Sequence, residues 1–336
     1  MKHFRYFYSL VPAVLAITGN LLGGNFIWLN IFYNLIGLVI LDWLMKSNTE
    51  VPEGKDKDFI PVFILFLSFM VHTAAILTLI LGVYFHRITG NYVWLAAFST
   101  ALNSGISGII SAHEMIHRKQ AAWRALGIWN LILVNYGHFF IEHVKGHHKW
   151  VGTSKDPATA RYGENIYSFF IRTIPGQFLS AFKIEASRLE KEGKNKFGRE
   201  NFVVSVTSFQ FLFCGFLLAL CGVQVLIIYL LQSFIAVLLL EYVNYIEHYG
   251  LVRNENEKYT AKHAWQSDVV VTRFSLIELS RHSDHHLKAS KPYHTLDSHE
   301  SSPVLPSGYF GVFYMVMIPP LWFKLVHPLL DKMKLS

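Results

Sequence analysis

Nine histidines of the chain fall into four short clusters: His113 and His117 in HEMIH, His143, His147 and His148 in EHVKGHH, His248 in NYIEHYG, and His282, His285 and His286 in RHSDHH. Imidazole is the commonest side-chain metal ligand, and helical spacings of three or four residues put two rings on one face. A helix delivers two ligands to one ion in this way. Single clusters have ordinary explanations: a surface pair for HEMIH, a solvated basic turn for EHVKGHH, a hydrogen-bonded structural ring for His248. RHSDHH, with three imidazoles in five residues and an acid among them, is harder to dismiss. Together the four point to a metal centre.

Nine imidazoles are too many for one ion, because four-coordinate zinc takes four ligands at most and catalytic zinc leaves a position open. Two ions with four or five histidines each account for the set. Imidazole suits Zn, Cu, Fe and Ni alike, so ligand type leaves the element open. Each cluster carries an acid: Glu114, Glu142, Glu247 and Asp284. These could accept the second N–H of a ligating ring, or bridge or ligate the ions directly.

The elements that must position these rings are apolar. Of 336 residues, 52% are hydrophobic and 16% charged, against roughly 25% charged in soluble domains. Residues 6–41, 59–85, 88–112 and 201–240 contain no Asp, Glu, Lys or Arg. A helical span needs about 20 apolar residues, so the first and last stretches are long enough for two spans each. Gly19-Asn20 and Gly23-Gly24-Asn25 punctuate the first, and Gly222 the last. The expected fold is an all-α polytopic membrane protein, one domain over 1–336. Its six transmembrane helices lie at about 6–23, 25–44, 60–85, 92–112, 202–220 and 223–243. The first is read as a retained helix, since no small-residue cleavage site precedes a soluble region.

Six spans put both termini on one side, with catalytic segments 113–200 and 244–336. That side carries all of the 30 Lys and Arg residues except Arg87, which makes it cytoplasmic by the positive-inside rule. The net charge of +7 suits anionic lipid headgroups or an acidic protein partner. Nucleic-acid binding fits poorly, because the basic residues flank spans and form no recognisable module. Cys214 and Cys221 form no CxxC pair, which argues against thiolate clusters and structural zinc.

Two further apolar stretches are constrained by the clusters. If 125–141 crossed the bilayer, HEMIH and EHVKGHH would lie on opposite faces; it must re-enter on the same side or lie against the membrane. Residues 304–323 contain Pro319-Pro320, expected to break a helix, and are read as interfacial, with a seventh span as the alternative.

At these residues the chain resembles the membrane-bound alkane monooxygenases, histidine-rich integral-membrane di-iron enzymes that include xylene monooxygenase, with desaturases and fatty-acid hydroxylases as more distant relatives. HEMIH followed by Arg118 looks like the first histidine box, EHVKGHH the second and RHSDHH the third. NYIEHYGL (244–251) is similar to the extra box that separates alkane and xylene hydroxylases from desaturases. DPATAR (156–161) and LPSGY (305–309) extend the likeness, while Met115-Ile116 departs from the usual Leu-Gly pair.

The resemblance implies two non-haem irons held by the nine histidines on the cytoplasmic side of a bacterial inner membrane. It implies that O2 and two electrons convert the terminal methyl of a linear alkane to a primary alcohol, the second oxygen atom leaving as water. The electrons would come from a rubredoxin and its NAD(P)H-dependent reductase. With no CxxC pair, no fused rubredoxin domain is expected and the carrier is a separate protein. Lys145, Lys149 and Lys155 beside the second box are candidates to dock it.

Alternatives within the superfamily are an aromatic methyl hydroxylase of xylene type or a fatty-acyl hydroxylase or desaturase. From another class, HEMIH matches H-E-x-x-H of a membrane zinc protease, with Glu114 as general base, though this leaves seven clustered histidines without a purpose. A metal transporter would place ionisable residues within the spans. His72 does sit mid-span, and is read as a neutral ring bonded to a neighbouring helix. His138 is a candidate to support the second box. Trp28, Trp43 and Trp94 are candidate substrate-tunnel residues, with interfacial anchoring the rival reading.

Overall fold

The computed structural model describes residues 2–50 and 58–334. Among these the structure is helices and turns, with two isolated β-bridges, Ser47 to Val269 and Gln266 to Val304. A 3-10 stretch (Lys2–Leu10) leads into α1 (Val11–Leu22), followed by α2 (Gly24–Leu44), α3 (Phe59–Tyr84), α4 (Tyr92–Ile116), α5 (Ala121–Ile132), α6 (Ile166–Lys191), α7 (Phe202–His248), α8 (His282–Leu287) and α9 (Pro319–Lys334).

Four of these, α2, α3, α4 and α7, are long and apolar enough to cross a membrane. Their outer faces carry large apolar side chains that face no protein, such as Leu44, Phe211, Leu212 and Phe216. A soluble protein rarely shows so large an apolar surface. Helix α7 runs for 47 residues but breaks at Gly222, where φ is 83°, a conformation glycine adopts without a Cβ clash. The rings of Phe213 and Tyr229 lie 5.5 Å apart. Sixteen residues of straight helix would separate them by about 24 Å, so the two arms double back on each other.

Polar side chains hold the apolar helices together, since no water competes for them in a bilayer. Asn20 Nδ2 donates to the Ala75 carbonyl and to Thr100 Oγ1, both at 3.1 Å. Asn30 Nδ2 donates to the Ser99 carbonyl at 2.7 Å. His72 is fully buried, with Nε2 3.2 Å from Ser104 Oγ, and Gly108 leaves the space its ring fills. The interhelical role expected for His72 is what the fold gives it.

Residues 125–141 form a re-entrant hairpin. Helix α5 runs back along α4, with Asn130 Nδ2 donating to the Gly108 carbonyl at 3.3 Å. The chain turns at Asn135 (φ 54°), whose Nδ2 donates to Ser233 Oγ at 3.1 Å, and returns over 139–150. Ser233 lies fifteen residues before His248, about 22 Å along the helix, so the turn reaches far from the histidine end. Both boxes thereby sit at the same end of the bundle, as the clusters required.

Residues 304–323 make no continuous helix. A short helix (Phe313–Met317) ends at Ile318, and Pro319 and Pro320 open α9 instead of breaking one. Proline suits the first turn of a helix, whose N–H groups have no partner anyway. Helix α9 buries Trp322, Val326 and Leu330 in the cluster that contains Tyr245 and Tyr249.

Candidate metal centre

The nine clustered histidines meet at one end of the bundle, in two adjoining groups. Ring nitrogens of His113, His117, His143, His148 and His285 lie within 4.8 Å of one another, and so do those of His147, His248, His282 and His286. Helix α4 brings His113 and, just past its end, His117. The hairpin's return arm brings His143, His147 and His148, the end of α7 brings His248, and α8 brings the last three. Over Glu142–His147 the return arm widens to a π-helix, a form that recurs at functional sites. The groups touch where the His148 ring lies 4.3 Å from that of His286.

Within each group one Nε2 faces two others. His148 Nε2 is 3.1 Å from both His143 Nε2 and His285 Nε2. His282 Nε2 is 3.1 Å from His248 Nε2 and 2.9 Å from His286 Nε2. A neutral imidazole has one donor and one acceptor, so a single proton cannot satisfy three converging nitrogens. The Nε2 atoms of His113, His117 and His147 are buried without a partner among the described residues. Metal–nitrogen bonds of about 2.1 Å place adjacent ligand nitrogens roughly 3 Å apart. The donor set fits two ions, one for each group.

Burial, and then neighbouring imidazoles, hold His143, His148, His282, His285 and His286 well below the usual histidine range, and His117 at about 3. The rings are therefore neutral at pH 7, the form that binds metal.

The four acids have different partners. Glu247 Oε1 accepts from Tyr309 OH at 2.9 Å, and its Oε2 lies 3.3 Å from His282 Nε2, at the meeting point of the second group. Glu114 accepts from Arg118 at 2.8 Å, and Asp284 from Lys291 at 2.6 Å and His299 at 2.7 Å. Glu142 is fully buried, with the Ser180 side chain beside its carboxylate. A fifth acid, missed in the sequence, is Asp156 of DPATAR: its Oδ2 is 2.9 Å from His147 Nδ1 and accepts from Thr159 OH at 2.6 Å. Burial works to raise the Asp156 carboxyl, but His147 and Thr159 hold it below the usual range. Its motif was visible; the fold-back of the loop after the second box, which sets its role, was not.

A buried ionic frame fixes the third box. Arg273 donates to Glu278 at 2.7 Å and Arg281 to Asp268 at 3.1 Å, and both arginines reach the Asn48 and Glu50 carbonyls. Between them Ile277 and Glu278 adopt positive φ, 42° and 61°, which costs energy for a β-branched residue. Tyr6 OH, from the first helical stretch, donates to Glu278 at 2.9 Å.

Apolar space leads to the rings. One cavity is lined by Leu102, Gly105, Ile110, Val243, Leu276 and Phe310, among others. Gly105, Ile110 and Val243 also border a second space that reaches His113, His143 and His282. Trp28, Trp43 and Trp94 line neither. Trp43 and Trp94 are half-exposed, Trp43 Nε1 donates to the Gly311 carbonyl at 3.0 Å, and Trp28 stacks on Phe32. His138 contacts Tyr136 and Phe178, at ring distances of 4.4 and 5.1 Å, and sits outside both histidine groups. Lys145 pairs with Glu185 and Lys155 with Glu255, while Lys149 and Lys155 both lie over the Trp150 ring.

A family model described as fatty acid desaturase matches residues 89–316. The chain is 39% identical to alkane 1-monooxygenase 1 of Pseudomonas aeruginosa over 71% of this chain and 63% of that protein. To the alkane 1-monooxygenase of Pseudomonas putida it is 35% identical over 97% of this chain and 84% of that protein. The xylene/toluene monooxygenase hydroxylase component of Pseudomonas putida is 28% identical, over 97% of this chain and 88% of that protein. In five of the alkane 1-monooxygenase matches the aligned region spans less than two thirds of the relative, 58% to 64%.

Proposed function

The chain belongs to the fatty acid desaturase family, together with the alkane 1-monooxygenases, and on that footing we propose that it is a non-haem di-iron monooxygenase of linear alkanes. It uses O2, two electrons and two protons to turn a terminal methyl into a primary alcohol and water. The observation that carries this reading is the pairing of two imidazole groups with apolar space that leads to them. Two bound irons would supply oxygen activation and C–H oxidation, chemistry that no side chain performs.

The chain's own residues do the rest. His113, His117, His143, His148 and His285 hold one ion; His147, His248, His282 and His286 hold the other. Asp156 accepts the Nδ1 proton of His147 and fixes its Nε2 toward the ion. Glu247, beside His282, is placed to join the second ion's ligands. Leu102, Ile110, Val243 and Phe310 grip an alkyl chain and exclude water. Gly105 keeps the passage open, since a Cβ there would lie 2.7 Å from Leu239.

The bilayer supplies the substrate, because alkanes partition into lipid. Six spans account for the arrangement: the helical stretch 2–22, then α2, α3 and α4, and the two arms of α7. The asymmetry of Lys and Arg supports a cytoplasmic location for the centre, in a bacterial inner membrane. Electrons come from a separate rubredoxin, reduced by its NAD(P)H-dependent reductase; the rubredoxin docks beside the second box, near Lys145, Lys149, Lys155 and Trp150. The protease reading uses two of the nine histidines and needs Glu114 as a base, whereas Glu114 is engaged by Arg118.

The test is to supply the iron-loaded protein with rubredoxin and reductase, then offer alkanes, xylene and fatty acids together. Primary alcohols from alkanes are expected. Turnover of xylene or fatty acid alone would move the chain to the alternative substrate class, and no oxygenated product would overturn the assignment.

A further inference from the structure

A groove on the outer flank of the bundle, separate from the space that leads to the rings, is flanked by two cations. It holds about 280 Å3 and is walled by Tyr33, Leu38 and Leu41 of α2, by Met45 just past it, by Tyr8 and Val11, and by the short helix Val270–Ser275. Tyr8, Leu41 and Met45 are exposed, so the groove opens sideways. From Tyr33 to Met45 is twelve residues, about 18 Å of helix. That is close to one leaflet, half of the roughly 30 Å hydrocarbon core. The groove runs along a span, in the direction of lipid tails, and its Met45 end meets the segment that leads into the third box.

The cations sit at that end. Lys46 follows Met45, and its carbonyl accepts from the Val270 N–H at 3.3 Å. One turn further on, the Arg5 guanidinium lies 5.4 Å above the Phe274 ring. Arg5, Tyr8 and Val11 recur at the three-residue repeat of a 3-10 helix, so Arg5 continues the face that lines the groove. Both cations are exposed, and neither pairs with an acid among the described residues. Acids on this flank are engaged by other groups: Asp42 by Thr272 and Gly311, Asp58 by His3, Asp268 by Arg281 and Glu278 by Arg273.

We propose that this groove holds an acyl chain of an anionic phospholipid, with the headgroup phosphate between Arg5 and Lys46. The charge at the mouth chooses the occupant. A bare hydrocarbon would fill the groove and leave both cations unused, and a zwitterionic lipid brings its own ammonium to the same place. Arginine offers phosphate a fork of donors and lysine a point charge. Each is worth about fivefold in affinity beside an anionic headgroup. The bound lipid braces the helix Val270–Ser275, whose Arg273 belongs to the ionic frame of the third box. This site stands apart from the monooxygenase reading and requires only that α2 spans the bilayer.

The experiment uses the full chain, delipidated in detergent. It offers phosphatidylglycerol and phosphatidylethanolamine of matched acyl chains, decane, and inorganic phosphate. Native mass spectrometry counts bound lipid, and thermal unfolding measures stabilisation. One retained phosphatidylglycerol is expected, bound about tenfold more tightly than phosphatidylethanolamine. Arg5→Gln with Lys46→Gln should abolish the preference, and Leu41→Trp, which fills the groove from its exposed side, should weaken both lipids. Lys258→Gln with Lys262→Gln removes the same charge from the exposed loop after α7 and should leave the preference intact. Equal binding of the two lipids by the unaltered chain would overturn the proposal. So would a preference that survives without Arg5 and Lys46, or one lost equally in the loop variant. Stabilisation by decane or phosphate alone equal to that by phosphatidylglycerol, or a dimer that excludes lipid, would also remove the site. If a variant fails to fold, the comparison of lipids on the unaltered chain decides.

Discussion

His147 Nδ1 and Asp156 Oδ2 lie 2.9 Å apart, both almost fully buried, with Thr159 OH donating to the same carboxylate oxygen. The pair fixes which ring nitrogen of His147 is free to face the second imidazole group. Acids in this position raise the basicity of a ligand and hold its ring still, and their loss typically costs 10- to 100-fold in metal affinity or activity.

Asp156→Asn should therefore lower turnover about 10- to 100-fold and release one ion before the other under graded chelation. Iron content against chelator concentration measures this. Loss of both ions together, or no loss of turnover, would count against a role confined to His147.

Val243 borders both apolar spaces, so Val243→Phe should obstruct the passage without touching a ligand. Alkane turnover should fall at least tenfold, an effect of about 1.4 kcal/mol on the barrier, with iron content unchanged. The loss should be smaller for short alkanes. Equal loss at every chain length would place the substrate elsewhere.

Gly308 of LPSGY has no room for a methyl group. A Cβ there would lie 2.1 Å from Asp42 Oδ2 and 2.3 Å from Thr272 Oγ1. Asp42 accepts from Thr272 OH and from the Gly311 N–H, both at 2.9 Å, so this contact ties the end of α2 to the segment before α9. Gly308→Ala should destabilise the protein by about 1–3 kcal/mol, seen as a lower unfolding temperature in detergent. An unchanged temperature would mean the segment shifts freely.

Lys149→Glu with Lys155→Glu reverses both cations over Trp150. The rubredoxin concentration for half-maximal turnover should rise at low salt, and the difference should shrink as salt screens it. No rise would place the docking surface elsewhere.

The four histidine boxes carried most of this site in the sequence, because helical spacing and adjacency to span ends are local properties. The re-entry of 125–141 was also legible, since only that path leaves His117 and His143 on one side. Asp156 was not, because its bond to His147 depends on how the loop after the second box folds back. Helix α6 was hidden by its mixed charge, yet its Thr173 and Gln177 donate to Glu241 and anchor α7. Positive φ at Ile277 has no local sequence signal, since the ionic frame of Arg273, Glu278 and Arg281 imposes it from outside. Pro319-Pro320 was legible in composition and ambiguous in effect, because proline ends one helix and begins another. The tunnel tryptophans were drawn from residue type alone; the apolar space beside the histidines is bordered by Leu102, Ile110, Val243, Leu276 and Phe310, among others.

On the proposed reading, the nine imidazoles form two separate ion sites side by side. An anomalous difference map of the iron-loaded protein at the iron edge tests it most directly. Two peaks are expected, one among His113, His117, His143, His148 and His285, the other among His147, His248, His282 and His286. A single peak, or iron bound away from these rings, would contradict it.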